Sequence, residues 1–192
     1  MKIIPAILTS DIEEFGNLLA QVAREYDRVQ IDFVDGEFAL NKSIKIEECK
    51  SIKNFPEIKF DAHLMVTETN LQGYLKNLEY FDRTIVQMES IYSPEDFDCL
   101  ALDIHSPVEA IKPYLPKLKL VNLMSIEPGL GGQKLDLRIF DHLSYLSNLR
   151  NLSNLKFKIS VDGGVEPKHL EKLELLGANE VVVGAFRVLS WK

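Results

Sequence analysis

The sequence has little cysteine, no excess of positive charge and no long apolar run. Among 192 residues there are two cysteines, Cys49 and Cys99, without CxxC spacing, so we interpret both as buried thiols rather than a disulfide or metal pair. The net charge of -7 argues against a nucleic-acid surface, which needs clustered Lys and Arg. No apolar run approaches the roughly 18 residues of a membrane span, and no secretory signal is recognisable. We therefore expect a cytoplasmic protein that binds neither nucleic acid nor membrane.

Short apolar runs rich in β-branched residues alternate with stretches of helical spacing along the whole chain. This βα alternation predicts a parallel sheet. The predicted strands are 3–8, 28–34, 58–64, 84–89, 99–104, 118–126, 157–163 and 179–185. Eight such strands favour a closed (β/α)8 TIM-type barrel formed by one domain over residues 1–192, with an open doubly wound sheet as the alternative.

Helix start signals lie between the predicted strands. Ser10 is the expected N-cap of the first helix, with Glu13 completing a capping box. Ser106-Pro107 and Glu166-Pro167 each place proline at a first helical position, and 137–152 is the longest helical stretch.

Two helices of the barrel are predicted to be reduced or missing. Only about one helical turn fits between Glu89 and Cys99, and few residues follow Ala185. The apolar outer surface of the barrel that the fourth and eighth helices would have covered must then pack against another surface. A homo-oligomer is therefore a further hypothesis.

In a barrel of this type, functional residues lie at the carboxyl ends of the strands and in the loops that follow. The polar and sulfur-containing residues at those ends are Asp32, Asp35, His63, Met65, Gln87, Glu89, Met124, Ser125 and Asp162. Three glycine-containing loops follow the last strands, at 127–134, 162–165 and 184–185. Glycine lets backbone N–H groups approach an anion, so this rim is a predicted phosphate site.

Six segments, in this order and spacing, resemble the ribulose-phosphate 3-epimerase family over nearly the whole chain. They are PAILTSD, IDFVDGEF, DAHLMV, NLMSIEPGLGGQK, SVDGGV and VVVGA. The resemblance implies a metal-dependent inversion at C3 of a ketose phosphate, D-ribulose 5-phosphate to D-xylulose 5-phosphate. It also implies that Asp32 and Asp162 are the catalytic pair that moves the C3 proton through an enediolate.

The same resemblance implies a divalent metal ion, zinc, iron, manganese or magnesium, bound by Asp32, His63 and Asp162. The family's fourth ligand is a histidine, whereas this chain has Gln30. An amide oxygen is a harder and poorer ligand than imidazole for zinc or iron. We therefore expect the metal affinity of the site to be lowered and the site to prefer manganese or magnesium.

Residues matching the family's substrate and phosphate positions are Met65, Met124, Gly129, Gly131, Gly132, Gln133, Gly163, Gly164, Gly184 and Ala185. Other family positions have changed: the expected serine, methionine, histidine and serine are Ala6, Val34, Gln87 and Ala185. Two alternatives to the epimerase therefore stay open, an inactive homologue that binds a sugar phosphate and a relative with another ketose-phosphate substrate. Taken singly, His63 could also be a core histidine, and Asp32 and Asp162 structural acids.

Overall fold

A computed structural model describes residues 1–191 and contains a closed barrel of eight parallel strands in chain order. The strands are β1 Lys2–Ile7, β2 Arg28–Val34, β3 Lys59–Met65, β4 Arg83–Gln87, β5 Cys99–Leu102, β6 Leu120–Met124, β7 Lys158–Asp162 and β8 Glu180–Gly184. The barrel closes where β1 pairs with β8, from Lys2 opposite Glu180 to Ala6 opposite Gly184. The predicted barrel is therefore confirmed, and the open sheet is excluded.

Within residues 1–191, five α-helices and four 3-10 helices lie between or after the strands. The α-helices are α1 Ile12–Val22, α2 Glu68–Leu75, α3 Ile139–Leu152, α4 Pro167–Leu175 and α5 Ala185–Leu189, and the 3-10 helices are Ile46–Asn54, Met88–Ser90, Pro94–Asp96 and Val108–Ile111. No helix within residues 1–191 is long and apolar enough to cross a membrane.

The two helices predicted to be reduced are short in the structure. Only the 3-10 turns Met88–Ser90 and Pro94–Asp96 follow β4, and α5 has five residues. The segment after Pro107 is also a 3-10 helix, Val108–Ile111, with Pro107 as its cap. By contrast, α3 is the longest helix and α4 begins at Pro167 as predicted.

The N-cap of α1 is Asp11, so the prediction of Ser10 was wrong by one residue. The Asp11 carboxylate accepts hydrogen bonds from the backbone N–H groups of Glu13 at 2.8 Å and Glu14 at 3.2 Å. Aspartate is as good an N-cap as serine, and Asp11 is the residue that directly precedes the first helical position, Ile12.

Alternation along each strand separates the barrel interior from the main apolar core. On β2 the outward side chains Val29, Ile31 and Phe33 pack beneath the helices, because successive residues of a strand point to opposite faces. The inward side chains of the same strand are Arg28, Gln30 and Asp32. Small apolar clusters fill the middle of the interior: Ile85, Cys99, Ala101, Leu120 and, separately, Ile4, Ala6, Val182. Polar residues therefore occupy the two ends of the barrel interior.

The amino-terminal end of the interior is filled by an ion-pair network. Asp61, whose side chain is fully buried, accepts hydrogen bonds from Arg28 and Arg83. Arg83 also donates to Glu180 at 2.8 Å, and Lys158 donates to the other oxygen of Glu180 at 2.8 Å. These opposite charges satisfy one another and close this end of the barrel.

Asp35, in the loop after β2, organises two neighbouring loops. Its Oδ1 accepts from the backbone N–H groups of Glu37 and Phe38, each at 2.8 Å. Its Oδ2 accepts from the Thr67 backbone N–H at 2.8 Å and from the Asn70 amide at 3.0 Å, at the start of α2. Burial by itself would raise the pKa of Asp35, but these hydrogen bonds lower it to about 2. Asp35 is thus a structural residue that holds these two loops together.

Replacing Asp35 by alanine is expected to lower the free energy of unfolding by about 2 kcal/mol at pH 7, because several N–H donors lose a charged acceptor. The pKa of Asp35 is lower when folded than its ordinary 3.8. The carboxylate therefore stabilises the fold fully above that value and loses its effect as pH falls towards 2. Urea unfolding at pH 7 and at pH 3 checks this, with exposed Asp96→Ala as the control. An equal effect of Asp35→Ala at both pH values would contradict it.

Candidate active site

The carboxyl ends of β2, β3, β6 and β7 bring four predicted site residues together. Asp32 lies opposite His63 in the β2–β3 pairing, and Met124 lies opposite Asp162 in the β6–β7 pairing. All four of these side chains line the same cavity. Strand register, rather than any local sequence feature, therefore assembles the site.

Asp32 and Asp162 meet at the imidazole ring of His63. The His63 Nδ1 atom lies 3.3 Å from Asp32 Oδ1 and 3.5 Å from Asp162 Oδ2. His63 and Asp162 are buried, whereas Asp32 is partly exposed. The predicted grouping of two acids and one histidine is therefore present.

The Gln30 amide lies in the middle of this group. Its Nε2 donates to Asp32 Oδ1 at 2.8 Å and to Asp162 Oδ2 at 2.9 Å, and lies 3.3 Å from His63 Nδ1. An amide nitrogen carries two hydrogens, and the two carboxylates accept both of them. Gln30 is fully buried and therefore acts on the site from beneath the cavity.

Asn122 is a site residue that the sequence reasoning missed. It lies on β6, is fully buried and donates from Nδ2 to Asp162 Oδ2 at 2.9 Å. The signal that could have found it is a polar residue inside the apolar run LVNLM, two positions before Met124 and so on the same inward face. Asp162 Oδ2 therefore accepts from two amides, those of Gln30 and Asn122.

Gln87 completes a set of three buried amides. Its Nε2 lies 3.4 Å from His63 Nε2, on the side of the ring away from the carboxylates. The amide oxygens of Gln30, Gln87 and Asn122 are all buried without a hydrogen-bond partner. Buried amides usually have both ends satisfied, so this centre uses the N–H end of each amide and leaves the oxygen end unused.

Burial and neighbouring charge shift the pKa values at this centre. Burial, reinforced by the negative charge of Asp32, raises the pKa of Asp162. Burial alone would lower the pKa of His63, but the hydrogen bond and charge of Asp32, with the charge of Asp162, raise it. Asp162 therefore holds a proton more readily than an ordinary carboxyl group, which suits a general acid.

A cavity of about 600 Å³ opens above these residues. It is lined by most of the predicted substrate and phosphate residues: Met65, Met124, Gly129, Gly131, Gly132, Gly163, Gly164, Gly184 and Ala185. Gln133 does not line it; its amide donates to Glu127 O at 2.8 Å and Leu130 O at 2.7 Å. Gln133 therefore closes the loop after β6.

The loop after β7 requires glycine at Gly164. This residue has φ of +64°, and a Cβ there would lie 2.3 Å from the Leu135 backbone nitrogen. The loops after β6 and β7 are thus packed backbone against backbone at the rim of the cavity, where N–H groups can approach an anion.

Arg187, on α5, is a second residue that the sequence reasoning missed. It lines the cavity and donates from Nη2 to Gln133 O at 3.2 Å and from Nη1 to Val165 O at 3.5 Å. Arg187 thus joins the loops after β6 and β7, and places a guanidinium group among the glycines predicted to bind phosphate. No sequence signal marked it, because a single arginine in a short terminal helix is usually solvated.

The metal ion implied by the family resemblance can be tested against this geometry. The donor atoms of Asp32, His63 and Asp162 converge, but the position where Gln30 replaces histidine presents N–H hydrogens, which repel a cation. Within residues 1–191 no group of three or more His, Cys, Asp and Glu side chains is arranged to hold a metal ion. As they lie, these residues do not fit a resident metal.

The sequence matches the model of the ribulose-phosphate 3 epimerase family over residues 2–187. The chain belongs to this family. Ribulose-phosphate 3-epimerase of Schizosaccharomyces pombe is 31% identical over 95% of this chain and 85% of its own length, and that of Bacillus subtilis is 27% identical over 96% and 91%. Family membership supports an epimerase activity and a sugar-phosphate substrate.

Solved structures with the same fold belong to several enzymes. A mutant tryptophan synthase α-subunit from Pyrococcus furiosus superimposes with a TM-score of 0.69 at 17% identity, covering 96% of this chain and 87% of that one. A 3-hexulose-6-phosphate synthase gives 0.64 at 17% identity, with coverage of 96% and 90%. At these identities the likeness shows the barrel fold alone, and the family assignment rests on the sequence.

Proposed function

We propose that this protein inverts C3 of a ketose phosphate, converting D-ribulose 5-phosphate to D-xylulose 5-phosphate, with Asp32 and Asp162 as the catalytic pair. The observation that supports this most strongly is the convergence of both carboxylates on one imidazole, at 3.3 and 3.5 Å. They lie at the floor of a cavity whose rim is formed by glycine loops. An acid on each side of C3 is what an inversion by proton transfer requires.

In the proposed reaction, Asp32 removes the C3 proton, and the electron pair of the C–H bond forms the C2–C3 double bond of an enediolate. The electrons of the C2 carbonyl move to its oxygen. Asp162 then gives its proton to C3 on the opposite face, and the carbonyl forms again. The raised pKa of Asp162 favours the protonated form that this second step needs. In the reverse direction the two residues exchange roles.

The phosphate is proposed to bind at the backbone N–H groups of Gly163, Gly164, Gly184 and Ala185. Glycine N–H groups and helix N-termini are common anion donors. Arg187 adds a guanidinium group that lines the same part of the cavity. Because Arg187 is held by two backbone carbonyl oxygens, it is already placed when the substrate arrives.

Replacing Arg187 by glutamine is expected to raise the KM for the ketose phosphate about tenfold, as for loss of one charge-assisted hydrogen bond, with kcat little changed. Steady-state kinetics and competition by inorganic phosphate measure the effect. Arg187→Lys should keep part of the affinity because it keeps the charge. Exposed Arg24, replaced by glutamine, is the matched control. An unchanged KM and phosphate competition in Arg187→Gln would rule out the phosphate contact.

The proposed function is tested by following deuterium incorporation at C3 of D-ribulose 5-phosphate in deuterated water, alongside formation of D-xylulose 5-phosphate. Incorporation by the wild-type protein, together with D-xylulose 5-phosphate formation that both Asp32→Asn and Asp162→Asn abolish, supports the epimerase. Binding of ketose phosphate without exchange would instead support the inactive binding protein. Exchange only with another ketose phosphate would support altered specificity. The cytoplasmic location and the homo-oligomer stay predictions.

A further inference from the structure

We propose that the amides of Gln30 and Asn122 replace the divalent metal, so that the centre holds Asp32 and Asp162 without a resident ion. This rests on the proposed function, since it states how the two acids of the proposed reaction are held. Both carboxylates already accept hydrogen bonds of 2.8 and 2.9 Å from one amide nitrogen, and Asp162 accepts a further bond of 2.9 Å from Asn122.

The orientation of the Gln30 amide follows from its neighbours. If the amide were reversed, its oxygen would lie 2.8 and 2.9 Å from two carboxylate oxygens, and three acceptors would face one another. Only the N–H end can face two carboxylates in the absence of a cation. The Gln30 oxygen consequently points to a buried place where it has no hydrogen-bond partner.

A cation between these side chains would require the opposite orientation. Gln30 would have to turn its amide, which would break both of its hydrogen bonds to the carboxylates. Asn122 would still donate to the Asp162 oxygen that the metal needs. Turning the Gln30 amide opposes metal binding, because two hydrogen bonds to charged groups are lost.

The two amides are positioning residues, because neither Gln30 nor Asn122 lines the cavity. Their role is to fix the two carboxylates in direction and to reduce the repulsion between them. The negative charge that develops on the enediolate is then stabilised by N–H donors that do line the cavity.

The test compares the wild-type protein with Gln30→His, which restores an imidazole at the fourth position. We measure metal content after purification and then titrate Mn²⁺ and Zn²⁺ calorimetrically. Gln30→His is expected to bind at least about 100-fold more tightly than wild type, since even a change outside the ligand sphere alters metal affinity by 10–100-fold. The matched control is Gln87→His, on the far side of His63, which should bind metal as weakly as wild type.

If Gln30→His does not fold, Gln30→Glu provides the same comparison, because a carboxylate at this position removes the N–H donor and adds a ligand. Wild-type protein that carries one equivalent of metal, or that binds Mn²⁺ or Zn²⁺ as tightly as Gln30→His or Gln30→Glu, would overturn the proposal. These measurements do not depend on activity.

Exchange at C3 gives a separate answer. Wild-type protein treated with a chelator should incorporate deuterium at an unchanged rate. Loss of incorporation that added Mn²⁺ restores would overturn the proposal. If neither the treated nor the untreated protein exchanges any ketose phosphate, the proposed epimerase function fails, and metal binding alone still decides between an amide centre and a metal centre.

Discussion

Asp162→Asn is expected to lower the rate of D-xylulose 5-phosphate formation from D-ribulose 5-phosphate by about 10³-fold, the size of effect typical for loss of a general acid or base. Asparagine has nearly the same shape as aspartate but cannot give or take the proton. The Gln30 and Asn122 amides, which now donate to Asp162 Oδ2 at 2.9 Å each, would face the asparagine amide in place of the carboxyl group. The loss should therefore appear in kcat rather than KM.

Competition by inorganic phosphate separates this effect from a damaged fold. The proposed phosphate site lies in the loops of the cavity and does not include the Asp162 carboxyl group, so Asp162→Asn should bind phosphate as the wild-type protein does. Asp136→Asn is the matched control, since Asp136 pairs with Arg138 at 2.6 Å and does not line the cavity. D-xylulose 5-phosphate formation within tenfold of wild type in Asp162→Asn would contradict the proposed role.

Asp61→Ala is expected to lower the free energy of unfolding by about 3–5 kcal/mol, because removing one partner of a buried ion pair leaves an uncompensated charge. Asp61 is fully buried and accepts from both Arg28 and Arg83. Without it, Arg83 keeps only Glu180 as a charged partner, at 2.8 Å. Two guanidinium groups would then share the closed end of the barrel with one carboxylate.

Urea denaturation measures this loss, and a surface ion pair provides the contrast. Lys119 pairs with Asp98 at 2.7 Å, but its side chain is 78% exposed. Lys119→Ala should leave the free energy of unfolding nearly unchanged, because exposed pairs contribute little. If Asp61→Ala lowered the free energy of unfolding as little as Lys119→Ala does, the buried network would not stabilise the barrel.

The barrel could be predicted from the sequence because its signals are local and repeated. Each strand is a short apolar run, and the carboxyl ends of parallel strands meet at one end of a barrel. The strand ends therefore placed Asp32, His63 and Asp162 at one end of the barrel with other polar and sulfur-containing residues, and the family resemblance singled these three out. The short 3-10 segments, such as Val108–Ile111, were harder to anticipate, because length and packing rather than composition decide between 3-10 and α geometry.

The contacts within the site could not be predicted in the same way. Whether Asn122 reaches Asp162 depends on the register between β6 and β7, where Asn122 pairs with Ser160 and Met124 with Asp162. Arg187 reaches the cavity because α5 begins immediately after β8 and lies over the loops after β6 and β7. Strand register and helix placement are set by packing across the whole barrel, which no single segment specifies.

The pairing of β1 with β8 also determines when the phosphate rim can form during folding. The two strands lie at opposite ends of the sequence, and their last paired residues are Ala6 and Gly184, both of which line the cavity. Until β8 has left the ribosome, β1 and β7 each expose an unpaired edge, and such distant pairing is slow to form. Closure of the barrel and assembly of the proposed anion-binding rim are therefore a single late event, and the rim forms only when the aggregation-prone edges of the nascent chain disappear.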